Sequence, residues 1–236
     1  MVLLSDRNAG RSHPFPAELT CATGVPEGGL RVGKMAEKDI LNGPLGDSAV
    51  HVCVDMQRMF GPGFPWCVPW LEMITPRIET LCRYHAARTI FTRFNPARSP
   101  DQAPGMWRRY YRRWAEVTLD QMGAEPVRIV PELERFVPPA RVIEKQVYSP
   151  WHRGGLDGLL AGTGTDTLVI TGGETDICVL ATLLGAIDRG YRVVLVEDAI
   201  CSSSDETHDA LMGVYRKRFS EQLELASLEQ VLESWS

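Results

Sequence analysis

The chain has 236 residues, and no stretch of it approaches the roughly 18 consecutive apolar residues that a membrane-spanning helix requires. Positive charge is also short. Lys and Arg number 25 against 30 Asp and Glu, a net charge of -5, so there is no general attraction to nucleic acid or to an anionic membrane. Histidine is scarce: His13, His51, His85, His152 and His208 include no His-x-His or His-x3-His pair, so local spacing builds no zinc site. The six cysteines (Cys21, Cys53, Cys67, Cys82, Cys178 and Cys201) lack paired spacing. The opening Met1-Val-Leu-Leu4 is cut off by Ser5, Asp6 and Arg7, too soon for an export signal, and a reduced cytoplasmic chain is the expectation. Lysine is rarest of all the charged types, with only Lys34, Lys38, Lys145 and Lys217.

What is present is an ordinary globular composition, 44% hydrophobic and 23% charged, long enough for one large α/β domain. Residues 1–45, rich in Gly, Pro and charge, read as an irregular arm, and 46–236 as a single domain. Within that domain strands and helices alternate. Strands are expected at Ala49–Val54, Arg88–Thr92, Arg141–Ile143, Leu168–Thr171, Arg192–Val196 and Gln222–Leu225. Helices are expected at Thr75–Ala87 with Pro76 in first position, at Met106–Met122, and from Cys178 to a stop at Gly190. Capping boxes at Ser203-x-x-Glu206 and Ser227-x-x-Gln230 open the last two. Such alternation predicts a doubly wound α/β/α domain, Rossmann-like, with a mainly parallel sheet of about six strands covered on both faces.

In such a sheet the ligand crevice lies beyond the carboxyl ends of the strands. Three reactive side chains stand at those ends: Asp55, Lys145 and Cys178. Cys178 also opens a helix, whose unpaired N–H groups favour a thiolate over a thiol. An acid, an ammonium and a thiol at neighbouring strand ends make a complete nucleophile machine.

With these residues in view, Val54-Asp55-Met56-Gln57, the strand-terminal Lys145 and Gly172-Gly-Glu-Thr-Asp-Ile-Cys178-Val resemble the motifs of the isochorismatase-like cysteine hydrolases. That superfamily includes nicotinamidases, N-carbamoylsarcosine amidases, biuret hydrolases and ureidoacrylate amidohydrolases. The resemblance spans roughly residues 48–235. It implies an Asp55–Lys145–Cys178 triad, a non-proline cis peptide at Gly173–Glu174, and an oxyanion hole made by the N–H groups of Glu174 and Cys178. It further implies a small amide, carbamoyl or urea-like substrate, a C–N bond broken through a thioester on Cys178, and a homo-oligomer, dimer or tetramer. Two departures stand out. Glu174 replaces a small apolar residue and either reaches the pocket or caps the helix, a structural or helix-dipole role being preferred. The Asp-x-His pattern of metal-binding nicotinamidases is absent from Thr92-Arg-Phe-Asn-Pro96, so neither a metal nor another cofactor is expected. The rival readings are a vinyl-ether hydrolase of the isochorismatase type, which has no need of the thiol, and a non-catalytic binding protein on the same fold.

Aromatic residues near the three strand ends are candidates for the pocket wall. Gln57, Phe60 and Trp66 follow Asp55, while Tyr148 and Trp151 follow Lys145. Trp107, Tyr110, Tyr111 and Trp114 recur at i, i+3, i+4, i+7 and share one helix face flanked by arginines. From that segment Tyr111 is expected in the pocket and Arg108 is expected to meet a substrate carboxylate. Cys201 and His208 are read as structural.

Overall fold

The computed structural model describes residues 43–235. Six strands, β1 (Ala49–Val54), β2 (Thr89–Phe94), β3 (Arg141–Lys145), β4 (Thr167–Gly173), β5 (Arg192–Cys201) and β6 (Leu223–Ala226), form one sheet in the order β3-β2-β1-β4-β5-β6. Every pairing is parallel. The chain winds outward to β3, returns to the centre at β4, and winds out the other way. The switch in direction therefore falls between β1 and β4.

Eight α-helices flank the strands: α1 (Leu71–His85), α2 (Met106–Arg113), α3 (Leu119–Met122), α4 (Pro131–Glu134), α5 (Gly155–Leu160), α6 (Cys178–Ile187), α7 (Asp205–Arg218) and α8 (Leu228–Ser234). The period-two alternation of the strands sorts side chains to two cores. Ala49, Cys53 and Val169 face one core with α1, α4 and α8. Val50, Val52, Val54, Leu168 and Ile170 face the other with α5, α6 and α7. All seven residues of β4 are buried. Each buried Val, Leu or Ile contributes about 1.5–3 kcal/mol, so a register slip of this strand is strongly disfavoured.

Several boundaries differ from expectation for visible reasons. Helix α1 begins at Leu71, so Pro76 lies inside it. Pro76 sits on the exposed side, where the carbonyl it leaves unpaired can reach water. The long helix expected to reach Met122 stops at Arg113, because Trp114 leaves helical geometry and packs edge-on against Trp66 at 6.4 Å. The cap of α7 is Ser204, one residue later than expected, its side chain accepting from the Thr207 N–H. The Ser227–Gln230 capping box is present as read. Cys53, Cys82, Cys178 and Cys201 are free thiols.

The arm expected over residues 1–45 lies outside the described residues except for its last three. Those three are tied down: the Leu45 N–H donates to the Ser234 carbonyl at 2.7 Å, and Arg192 donates to the carbonyls of Gly43 and Pro44. Among the described residues no helix is long and apolar enough to cross a membrane.

Candidate active site

Asp55, Lys145 and Cys178 meet where β1, β3 and β4 end. The Lys145 ammonium donates to Asp55 Oδ2 at 2.6 Å and to Cys178 Sγ at 3.5 Å, and also reaches the Val147 carbonyl at 3.3 Å. Thr92 on β2 donates to Asp55 Oδ1 at 2.5 Å, which fixes the remaining carboxylate oxygen. Asp55 itself has φ +50, an uncommon value for a non-glycine residue, and it turns the chain sharply off the end of β1. All three side chains are buried: Asp55 is 2%, Lys145 6% and Cys178 8% exposed.

Burial opposes the Lys145 charge, but the Asp55 carboxylate and Cys178 outweigh it and hold the ammonium above its ordinary value. Cys178 behaves differently. Burial first, and then the neighbouring Asp55 charge, push its thiol well up, and Lys145 only partly offsets them. Burial and Asp55 thus work against the thiolate that the helix start and Lys145 favour.

The turn that presents Cys178 depends on glycine. Gly172 has φ +104, and a Cβ there would lie 2.1 Å from the Val54 carbonyl oxygen, so the β4 backbone passes directly against β1. The next peptide, Gly173–Glu174, is cis. Beyond it, the N–H groups of Thr175, Ile177 and Val179 donate to Cys201 O, Glu174 O and Glu174 O. Among the described residues, this leaves the Glu174, Asp176 and Cys178 N–H groups without a backbone acceptor at the turn before α6.

A pocket opens directly over the thiol. Its base is Asp55, Gly173 and Cys178, its walls are Phe60, Trp66, Phe94, Tyr110 and Tyr148, and Glu174 stands at its side. Phe94 also lies under the Lys145 ammonium, 5.2 Å from ring centroid to nitrogen. Among the described residues no group of three His, Cys, Asp or Glu side chains is placed to hold a metal ion.

The model of the isochorismatase domain matches residues 49–227. The chain belongs to the isochorismatase family. Two characterised relatives resemble it within that family. Nicotinamidase 3 of Arabidopsis thaliana is 27% identical over 166 residues, 70% of this chain and 78% of that protein. Maleamate amidohydrolase of Pseudomonas putida is 27% identical over 162 residues, 66% of this chain and 72% of that protein. The fold is shared with a cysteine hydrolase from Pseudomonas syringae pv. phaseolicola, TM-score 0.68 at 22% identity, over 84% of this chain and 98% of that one.

Against this isochorismatase frame the expected pocket residues divide. Phe60, Trp66 and Tyr148 line the pocket as read. Gln57 does not. It is fully buried, donates to the carbonyls of Phe94 and Val127, and accepts from the Phe94 N–H, so it braces β2 from behind. Trp151 packs against Gly185 of α6 and donates to the Thr182 carbonyl, outside the pocket. Tyr111 is buried in an aromatic cluster with Ala103 and Val117, and Arg108 points to solvent. On α2 the residue that reaches the pocket is Tyr110. Phe94 was missed because it was read as loop, whereas β2 runs on to it.

Of the two placements open to Glu174, the structure shows the one in the pocket lining. Its Oε2 accepts from Ser203 Oγ at 3.2 Å, and its carboxyl lines the pocket beside Cys178, away from any capping position. This pairing explains why Ser204 and not Ser203 caps α7. Cys201 is buried beside Gly173, and His208 is paired to Thr175 Oγ1 at 2.9 Å.

Proposed function

We propose that the protein is a cysteine amidohydrolase that breaks a C–N bond of a small amide, carbamoyl or ureido compound through a thioester on Cys178. The observation that carries this reading is the single ammonium of Lys145 in hydrogen-bond reach of both Asp55 and Cys178. The two relatives, one a nicotinamidase and the other a maleamate amidohydrolase, support the carboxamide class.

The steps follow from the charges. Asp55 takes the Sγ proton as the sulfur attacks the carbonyl carbon. Lys145 keeps Asp55 oriented and offsets the negative charge on sulfur as the proton leaves. The developing oxyanion takes the N–H groups of Glu174 and Cys178. Asp55 then gives its proton to the departing nitrogen, the C–N bond breaks, and ammonia or an amine leaves a thioester. Asp55 next removes a proton from water, whose oxygen attacks the thioester; Sγ departs, is reprotonated, and the acid is released. These steps use only side chains and backbone N–H groups of the chain itself.

The test is ammonia release over a panel of carboxamides, carbamoyl amino acids and ureas, with Cys178→Ala as control. Turnover by the native chain and its loss in the variant, together with a thioester trapped on Cys178 by acid quench and mass spectrometry, is the expected result. Full turnover by Cys178→Ala would exclude the mechanism.

A further inference from the structure

We propose that Glu174 is the specificity-determining residue of this pocket, and that the group it selects is an alkylammonium nitrogen carried by the substrate away from the scissile carbonyl. The inference rests on the amidohydrolase reading for its substrate and on pocket geometry for its charge.

The geometry has three parts. First, the carboxyl lies inside the cavity on the same turn as the nucleophile, held by Ser203 on one oxygen. A ligand seated over Cys178 is therefore within its reach. Second, the walls facing it are aromatic: Phe60, Trp66, Phe94, Tyr110 and Tyr148. Aromatic faces carry partial negative charge and attract a weakly hydrated cation. Third, among the described residues the carboxylic acids lining the cavity are Asp55 and Glu174, and none of the lining side chains is basic. Lys145 lies beneath, committed to Asp55, which leaves Glu174 as the carboxyl with no cationic partner among the described residues. The arginines of α2, Arg108, Arg109, Arg112 and Arg113, are all exposed and outside the cavity. A carboxylate-bearing amide would meet acid and aromatic faces with no counter-charge. A cationic amide would meet both kinds of complement.

The groups around Glu174 sharpen the expectation. Burial, then Asp176 in the turn before α6 and Asp55 after β1, raise its carboxyl to about 7, while Ser203 works in the opposite direction. Cys178 on α6, Cys201 at the end of β5, Tyr110 on α2 and Tyr148 after β3 also face it, and none of these brings a positive charge. A bound cation supplies that charge and favours the ionised form. Cation affinity should therefore rise as pH passes upward through 7.

Two measurements on the full chain test this. The first is calorimetric titration with choline and with 3,3-dimethyl-1-butanol, which replaces the charged nitrogen by carbon at nearly the same size. The second compares kcat/KM for 4-(trimethylammonio)butanamide, its neutral isostere 5,5-dimethylhexanamide, and the anionic glutaramate. Each is run on the native chain and on Glu174→Gln. At pH 8 we expect the cationic member of each pair to be favoured at least tenfold, and Glu174→Gln to remove most of that ratio. Equal handling of the pairs, a preference kept in Glu174→Gln, or a preference for glutaramate would each overturn the inference. Choline binding that depends on Glu174, with none of the amides turned over, upholds the charge selection and instead overturns the amidohydrolase reading.

Discussion

The floor of the pocket and its roof are held by different kinds of structure. Asp55, Lys145 and Cys178 hang from the ends of parallel strands whose register is locked by hydrogen bonds and by burial on both faces. The roof is made by residues 58–70 and 95–130, in which the longest helix has eight residues and rings lean on rings. Trp66 alone is stacked on Phe60 at 6.3 Å and touches Phe94, Tyr110 and Trp114 within 6.4 Å. In the floor, positions are set by main chain and a side chain has one place to go. In the roof, positions are set by how neighbouring rings fill space, so one substitution shifts several walls at once.

Substitutions that separate these two kinds of support should differ in size and in character. The largest effect belongs to the floor: Asp55→Asn keeps the shape but removes the base, and kcat should fall about 10⁴-fold with little change in KM. Steady-state ammonia release reads both parameters, and a loss confined to KM would contradict the assignment. Lys145→Met should cost about 3–5 kcal/mol of stability, because it strands the buried Asp55 carboxylate. Adding Asp55→Asn to that variant should return part of the stability and none of the turnover, a pattern that urea melts and activity assays separate.

Glu174→Gln lies at the border between floor and roof, and its effect depends on pH. The folded carboxyl is raised to about 7 from an ordinary 4.5 by burial and like charge, so between those values the folded state binds more protons than the unfolded one. Stability therefore falls as pH rises from about 4.5 to 7, then levels off. The glutamine variant escapes this penalty and should gain about 3 kcal/mol relative to the native chain at pH 8, and little at pH 4.5. Equal gains at both pH values would show that the carboxyl is not held as described. The smallest effect is expected in the roof. Trp66→Leu should raise KM about tenfold, roughly 1.4 kcal/mol, with kcat nearly kept, because the walls loosen while the nucleophile stays in place.

The same division explains what could be read in advance. Strand periodicity placed Asp55, Lys145 and Cys178 at one sheet edge, and no packing detail can move a residue from the end of a strand. The Gly172-Gly-Glu motif likewise carried the cis peptide. Helix α2 was harder. Tyr110 and Tyr111 are adjacent and chemically alike, and only the packing of Trp107 and Trp114 decides that Tyr110 reaches the pocket and Tyr111 the cluster behind it. Gln57 stood beside the acid in sequence, but the backbone turn at Asp55 swings it behind β2. For Glu174 a helix role was preferred over the pocket because a carboxylate near a helix start usually serves the helix. Its partner, Ser203, comes from the far end of β5, and nothing local announces that meeting. The charge of Cys178 also depended on depth, which helix position alone does not report.

The order of the sheet has a consequence for how the chemistry is distributed along the chain. Carboxylate and ammonium arrive with β1 and β3, before the glycine turn at Gly162–Gly164; the thiol and the two N–H donors arrive after it, with β4 and α6. Each half of the polypeptide thus carries an incomplete set of the proposed reagents, which come together only along the seam between β1 and β4, where Gly172 lets the two backbones touch. On the proposed mechanism, activity would be a report on that one seam: whatever parts it would silence the protein without altering any reacting group.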